Sequence, residues 1–168
     1  MKRAILLFFA LATFGSGCLY SGEFTKTPVD LTELDSKARE FVEGIQGGKL
    51  EPERFSAEKY VIKFGSKSWV NIKTQGFGSR GESQLPDRAA NVVLYLIQQK
   101  GAPSPRRIFY WLSGGSSTHG GYLYFNSTVP AKVETTMIGP RFSLTAHNEN
   151  SKDETLYQII VEQTPVAR

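Results

Sequence analysis

The sequence predicts an α+β fold in which N-terminal helices pack on a curved antiparallel sheet, with a signal peptide and a tether ahead of the domain. Three observations carry this reading. Apolar residues recur at helical spacing between Asp30 and Gly48, and five segments rich in β-branched and aromatic residues follow one another from Arg106 to Gln163. A short apolar run directly after Met1, Lys2 and Arg3 ends near the only cysteine, Cys18. At 168 residues, with 40% hydrophobic and 12% aromatic content, the chain holds enough apolar material for one domain and a short leader.

The leader comes first. The run from Ala4 to Phe14 is too short to cross a bilayer, which takes roughly 20 apolar residues. A positive start, an apolar stretch and the small residues Gly15, Ser16 and Gly17 make the pattern of a cleavable secretory signal over residues 1–17. Cys18 has no partner for a disulfide within the chain, although an odd cysteine in an exported protein can pair between chains. The segment "FGSGC" resembles the signal of bacterial lipoproteins, with Ser16 and Gly17 in place and Gly15 where that family carries an aliphatic residue. The resemblance implies lipidation of Cys18, which makes the lipid bilayer a partner through the acylated cysteine. Each buried CH₂ contributes about 0.8 kcal/mol and one chain alone anchors only marginally, so the several acyl chains of such an anchor hold firmly. Leu19 stands where family members retained at the inner membrane often carry Asp. The implied location is therefore the cell envelope, on the outer membrane and facing the periplasm.

Loss of residues 1–17 removes Lys2 and Arg3 and lowers the formal charge from +4 to +2. What remains shows no basic stripe of the kind a nucleic acid requires, so no nucleic-acid partner is expected. "LYSGEFTKTP", Leu19 to Pro28, has no sustained period and reads as a tether within residues 18–29, ahead of a single domain over 30–163 and a tail over 164–168. Asp30 with Glu33 offers a helix start, and Leu31, Leu34, Ala38, Phe41, Val42 and Ile45 form one apolar face until Gly47 and Gly48. Pro52 suits the first turn of a second short helix that buries Phe55 and Tyr60. "YVIKFG" and "SWVNIKT" read as a hairpin, "QGFGSRGESQ" as a glycine-rich loop, and Pro86 and Asp87 as the start of a third helix with Ala89, Ala90, Val93, Leu94 and Ile97 on its apolar face. From Arg106 the strands "RRIFYWLS", "GYLYFNSTV", "KVETTMIG", "RFSLTAH" and "TLYQIIVEQ" imply an antiparallel meander. Because Ile108, Tyr110 and Leu112 alternate with Phe109 and Trp111, that sheet needs cover on both faces.

The order of these elements resembles the nuclear transport factor two-like superfamily of cone-shaped α+β domains, with "FVEGIQGGKLEPERFSAEKY" matching its opening helix, small-residue turn and second helix. The resemblance implies a pocket that in enzymatic members holds an acid or base and a hydrogen-bonding Tyr. A β-sandwich or an open-sheet α+β domain built from the same elements is the rival.

No catalytic set emerges from the residues. Asp30 and Asp87 are explained by helix starts, Asp153 by a polar turn and Asp35 by a helix's polar side, and Tyr110, Tyr122, Tyr124 and Tyr157 read as core aromatics. "SGGSSTHGG" sets serines beside His119 but has no Gly-x-Ser-x-Gly elbow, so it reads as a loose hairpin connection. His119 and His147 lack further ligands at metal spacing, and the glycine-rich loop lacks a phosphate-cradle ending, so neither metal nor cofactor is expected. Two function classes follow. One is a non-enzymatic envelope lipoprotein whose domain binds a protein or an envelope polymer. The alternative is a cone-fold enzyme or small-ligand binder with an apolar pocket. For partner binding the side chains singled out are Phe77, Arg80 and His119, since aromatic residues and arginine dominate hot spots and loops carry binding groups.

Overall fold

The computed structural model describes residues 22–101, 105–127, 129 and 131–164. The signal peptide, Cys18 and residues 165–168 lie outside the described residues. Ten strands occur among the described residues: β1 (Glu23–Val29), β2 (Phe55–Ser68), β3 (Val70–Gly76), β4 (Ser79–Gln84), β5 (Ala89–Gln99), β6 (Arg106–Gly114), β7 (Ser117–Phe125), β8 (Ala131–Ile138), β9 (Arg141–Asn148) and β10 (Ser151–Gln163). They form two five-stranded sheets, ordered β1-β2-β5-β6-β7 and β4-β3-β10-β9-β8. The described helical elements are a 3-10 turn at Leu31–Glu33 and one α-helix, α1 (Ser36–Gln46). This is a β-sandwich with a helix on the outside of its first sheet, and it replaces the α+β arrangement of N-terminal helices on a curved, cone-like sheet.

The expected second and third helices are both strand. After Pro52 the amides of Arg54 and Phe55 bond the Glu51 carbonyl, each at 3.0 Å, and β2 begins at once. Phe55 and Tyr60 are buried as expected but on opposite faces, Phe55 toward α1 and Tyr60 toward the second sheet. In β5, Val92, Leu94 and Leu96 face the second sheet while Val93, Tyr95 and Ile97 face the helix side. A strand covered on both faces has no polar side, so its alternation disappears and its apolar residues fit a helical template by coincidence.

Pairing differs from expectation too. β2 and β3 do not form a hairpin, since β2 belongs to the first sheet and β3 to the second, and the chain crosses at Trp69, whose carbonyl accepts the Thr164 amide at 2.8 Å. The late strands likewise divide, with β6 and β7 paired in the first sheet and β8, β9 and β10 in the second. "QGFGSRGESQ" is the β3–β4 hairpin and not a loop. The segment read as a tether contains β1, which pairs with β2 from Glu23↔Lys63 to Val29↔Ala57. As an edge strand β1 tolerates Pro28, which has no amide to donate.

Two glycines in "THGGYLYF" also change meaning. They lie inside β7, opposite Trp111 and Tyr110 of β6. A Cβ on Gly120 would come within 2.6 Å of the Trp111 ring and 2.9 Å of Phe41, and one on Gly121 would collide with the Tyr110 hydroxyl. The bare backbone makes room for aromatics reaching across from β6.

The sandwich interior is filled. Tyr60, Ile62, Leu94, Leu96, Ile108 and Leu112 from the first sheet meet Val70, Ile72, Phe142, Leu144, Tyr157, Ile159 and Val161 from the second, nearly all without solvent exposure. On the other side of the first sheet, α1 presents Ala38 and Val42, fully buried, to Tyr95, Ile97 and Phe109, and Phe41 packs on Trp111 with ring centroids 5.2 Å apart. The expected apolar face of this helix is right, but its start is later. Asp30 caps the 3-10 turn through Thr32 N at 2.8 Å, and Asp35 caps α1 by accepting from Lys37 N and Ala38 N at 3.0 and 3.1 Å. Gly47, at φ +76°, ends it.

Candidate functional site

The β3–β4 hairpin carries two of the three expected binding residues. Phe77 sits at its tip, 61% exposed, and its amide donates to the Tyr124 carbonyl at 2.8 Å, which ties the tip to the edge strand β7. Arg80 lies on the outer face of β4, opposite Gln75. Beside it is an open cleft of about 420 Å³ lined by Lys73, Thr74, Gln75, Arg80, Gly81, Glu82, Gln158 and Ile160. Two smaller clefts lie at the hairpin tip, one of about 160 Å³ lined by Phe77 and one of about 300 Å³ lined by Gly76, Gly78, Ser79 and Arg80. The Lys73 ammonium is shared between Glu82 and Glu162, each at 3.7 Å, whereas Arg80 makes no ion pair within 4 Å among the described residues.

Across β7 the same end of the sandwich carries a second cleft, about 370 Å³, on the outer face of the first sheet. Its walls are Gln46, Arg54, Gln99, Pro105, Arg107 and Tyr124, over Phe55 and Phe109. The Arg107 guanidinium stacks on the Tyr124 ring at 5.4 Å and that of Arg54 on Phe55 at 5.8 Å, which holds both cations in place over aromatic faces. Tyr122, 44% exposed, meets Tyr124 edge to face at 5.7 Å. Arginine forks above aromatic rings suit carboxylate or phosphate groups next to a flat apolar surface, as in an acidic protein segment or an anionic saccharide. The sequence reading took Tyr122 and Tyr124 for core residues and passed over Arg54 and Arg107. Their common face follows from the β6–β7 register, Arg107↔Tyr124, which local pattern does not reveal.

His119 is elsewhere. It points between the sheets, where its Nε2 lies 2.9 Å from Ser83 Oγ of β4 and its ring lies 5.9 Å from that of Tyr110. Burial favours the uncharged imidazole and lowers its pKa below 6.5. The serine it meets is therefore not one of its neighbours in "SGGSSTHGG". By distance the pair is a base and a hydroxyl, but neither Ser83 nor His119 lines any of these four clefts. Nucleophilic chemistry needs a base oriented by a third group and room for a substrate, and this pair instead ties β7 to β4.

The buried polar groups at the hairpin-tip end are structural in the same way. Tyr157 donates to Gln98 Oε1 at 2.7 Å and Tyr60 to Glu58 Oε2 at 2.6 Å, while Glu58 pairs with Lys26 at 2.7 Å. Burial, then the Glu58 carboxylate, pushes both phenols well above their ordinary range, so they stay protonated donors. Arg106, 6% exposed, gives its guanidinium to the Ser127 and Val129 carbonyls at 2.9 and 3.0 Å and stacks on Phe125. It pins the crossing from β7 toward β8. Among the described residues no group of three or more His, Cys, Asp or Glu could hold a metal ion, and no helix is long and apolar enough to cross a membrane. Comparison with protein-family models, curated proteins and solved structures found no match to this chain.

Proposed function

We propose that this chain is a lipoprotein of the bacterial cell envelope, held on the outer membrane through acylated Cys18 and facing the periplasm, whose domain binds a protein or envelope-polymer partner without performing chemistry on it. The observation that carries the reading is that aromatic and arginine side chains, Phe77 and Arg80 on the β3–β4 hairpin and Arg107, Tyr122 and Tyr124 on the outer face of the first sheet, lie at one end on the outside of a sandwich whose interior is filled. A small-ligand binder keeps its pocket inside and lined by apolar groups. Here the described clefts open outward, and arginine with tyrosine is the composition of a binding hot spot. His119 supports the platform from within instead of joining that surface.

The test combines Phe77→Ala, Arg80→Ala, Arg107→Ala and Tyr122→Ala in the full-length protein, with crosslinking in intact envelopes and identification of the bound partner. The four changes leave the sandwich core untouched, so melting should stay close to wild type. Partner recovery should fall at least about tenfold, the effect of losing even one residue worth ~1.4 kcal/mol. Equal recovery of the same partner by a well-folded variant would remove this surface from consideration. Cys18→Ser, with loss of fatty-acid labelling and release to the soluble fraction, tests the anchor separately.

A further inference from the structure

The end of the sandwich opposite the Phe77 hairpin is built from the β2–β3 crossing, the β4–β5 and β6–β7 connections, the β8–β9 turn and the first described residue, Gly22. Hydrogen bonds join them: Gly22 N to Gly139 O at 3.1 Å, Leu85 N to Val70 O at 2.9 Å, Gln163 N to Pro140 O at 3.0 Å and Thr164 N to Trp69 O at 2.8 Å. Two of the four large exposed hydrophobic side chains among the described residues are here, Ile138 at 76% exposure and Trp69 at 37%. Around them Lys67, Arg88 and Arg141 are exposed and make no ion pair within 4 Å among the described residues, and the Arg88 guanidinium stacks on the Trp69 ring at 5.6 Å. Of the carboxylates nearby, Glu23 pairs with Lys63 at 2.9 Å, Glu162 across from Arg141 pairs with Lys73 at 3.7 Å, and Asp87, which feels the charge of Lys67, accepts from the Ser116 hydroxyl at 2.7 Å.

Chain length places this end. Cys18 precedes Gly22 by four residues, and four residues span at most about 14 Å however they are arranged. We propose that this end of the domain lies against the bilayer, with Ile138 and Trp69 at the boundary between headgroups and acyl chains and Lys67, Arg88 and Arg141 facing anionic headgroup phosphates. Tryptophan and snorkelling cations are the side chains that settle at that boundary, and one apolar contact beside an acyl anchor strengthens attachment to a charged surface. The proposal rests on the reading of Cys18 as the lipid anchor, and it fixes an orientation that the anchor alone does not. The Phe77 and Arg107 surface then points away from the membrane.

Trp69 is the probe. The chain has two tryptophans, so Trp111→Phe leaves Trp69 as the sole emitter. The full-length protein, isolated from membranes and checked by mass for the acyl groups on Cys18, is reconstituted into phosphatidylethanolamine–phosphatidylglycerol vesicles that carry a shallow doxyl-labelled lipid. Quenching of Trp69 by the labelled lipid, with reduced quenching by aqueous iodide, is the expected result. Ile138→Glu combined with Lys67→Glu, both exposed positions, should cut the lipid quenching at least threefold while melting and acylation stay unchanged. An acylated protein whose Trp69 responds to iodide and not to the labelled lipid would overturn the orientation and leave the anchor standing. A wild-type protein without acyl groups would instead overturn the anchor, and this proposal with it.

Discussion

The central strands of the first sheet are buried on both faces, those of the second on one. β5 and β6 carry apolar side chains on each side, because α1 covers one face of their sheet and the second sheet covers the other. In the second sheet the inner residues Phe142, Leu144, Ile159 and Val161 are buried, but the outer face is a lattice of polar pairs: Gln84 with Asn71 at 2.8 Å, Gln158 with Thr145 at 2.9 Å, and Lys73 between Glu82 and Glu162. The contrast shows where this chain spends its apolar residues. The first sheet is the structural centre, and the second is a lid with a wet surface.

Breaking the two outer faces should therefore have unequal consequences. Phe109, fully buried between β6 and α1, meets Phe55 and Tyr122 at 6.4 and 6.2 Å. Phe109→Ala should cost about 3–5 kcal/mol, the range for emptying an aromatic site that cannot collapse, and chemical denaturation would read it as a lower midpoint with the same slope. Thr145→Ala, on the outer face of the second sheet, should stay within about 0.5 kcal/mol of wild type. Equal losses at the two positions would mean that α1 does not cover the first sheet.

The next effect in size belongs to the helix that creates the asymmetry. Asp35 satisfies two amides at the start of α1, and Asp35→Ala should cost roughly 1 kcal/mol while Asp35→Ser recovers most of it. Asp30→Ala should cost less, since it serves only a 3-10 turn. Thermal melts of the three variants would check the order, and a larger loss at Asp30 would place the true helix start where the sequence pattern put it.

That displacement of the start by a few residues marks how far local pattern reaches. The α1 face of Ala38, Val42 and their neighbours was legible because a helix lying on a sheet keeps one solvated side. The late strands were legible because β-branched and aromatic residues alternate or cluster between turns. β5 was not, since both of its sides are buried and the polar half of the signal is missing. Membership of β2 and β3 in different sheets depends on pairings with strands far along the chain, and nothing within "YVIKFGSKSWVNIKT" encodes it. The site divides in the same way. Phe77 and Arg80 share one local segment, which reads as a loop in the sequence and forms the β3–β4 hairpin in the structure. Arg107 with Tyr124, and His119 with Ser83, meet only through tertiary contacts.

His119 gives a smaller, pH-dependent test of how the two sheets are held together. Its pKa is lowered in the folded state by burial, so between the folded pKa and 6.5 the unfolded chain binds a proton that the folded chain does not. Stability from this group is complete above 6.5 and is lost as pH falls through 6.5 toward the folded pKa. Melting of wild type should therefore drop between pH 7 and 5 by more than that of His119→Gln, which titrates in neither state. Parallel pH profiles would show that the imidazole is solvated and that Ser83 is not its partner.

The smallest effect should come from the ion pairs of the second sheet. Lys73 joins Glu82 and Glu162 at 3.7 Å, with its side chain 44% exposed. At that distance and exposure water screens the charges, and ordering a long side chain offsets much of the attraction, so exposed pairs contribute about 0–1 kcal/mol. Lys73 also stands directly across from Ile160, which is only 7% exposed although it lies on the outer face. A lysine stem can shield such a residue while its ammonium stays wet. Lys73→Met should then be neutral or slightly stabilising, because it keeps the stem, whereas Lys73→Ala should lose a few tenths of a kcal/mol. Salt separates the contributions: if charge pairing mattered, 1 M NaCl would erase the difference between wild type and Lys73→Met and leave that between Lys73→Met and Lys73→Ala. A loss of several kcal/mol in Lys73→Ala would show that Ile160 belongs to a second buried face, and the contrast between the two sheets would fail.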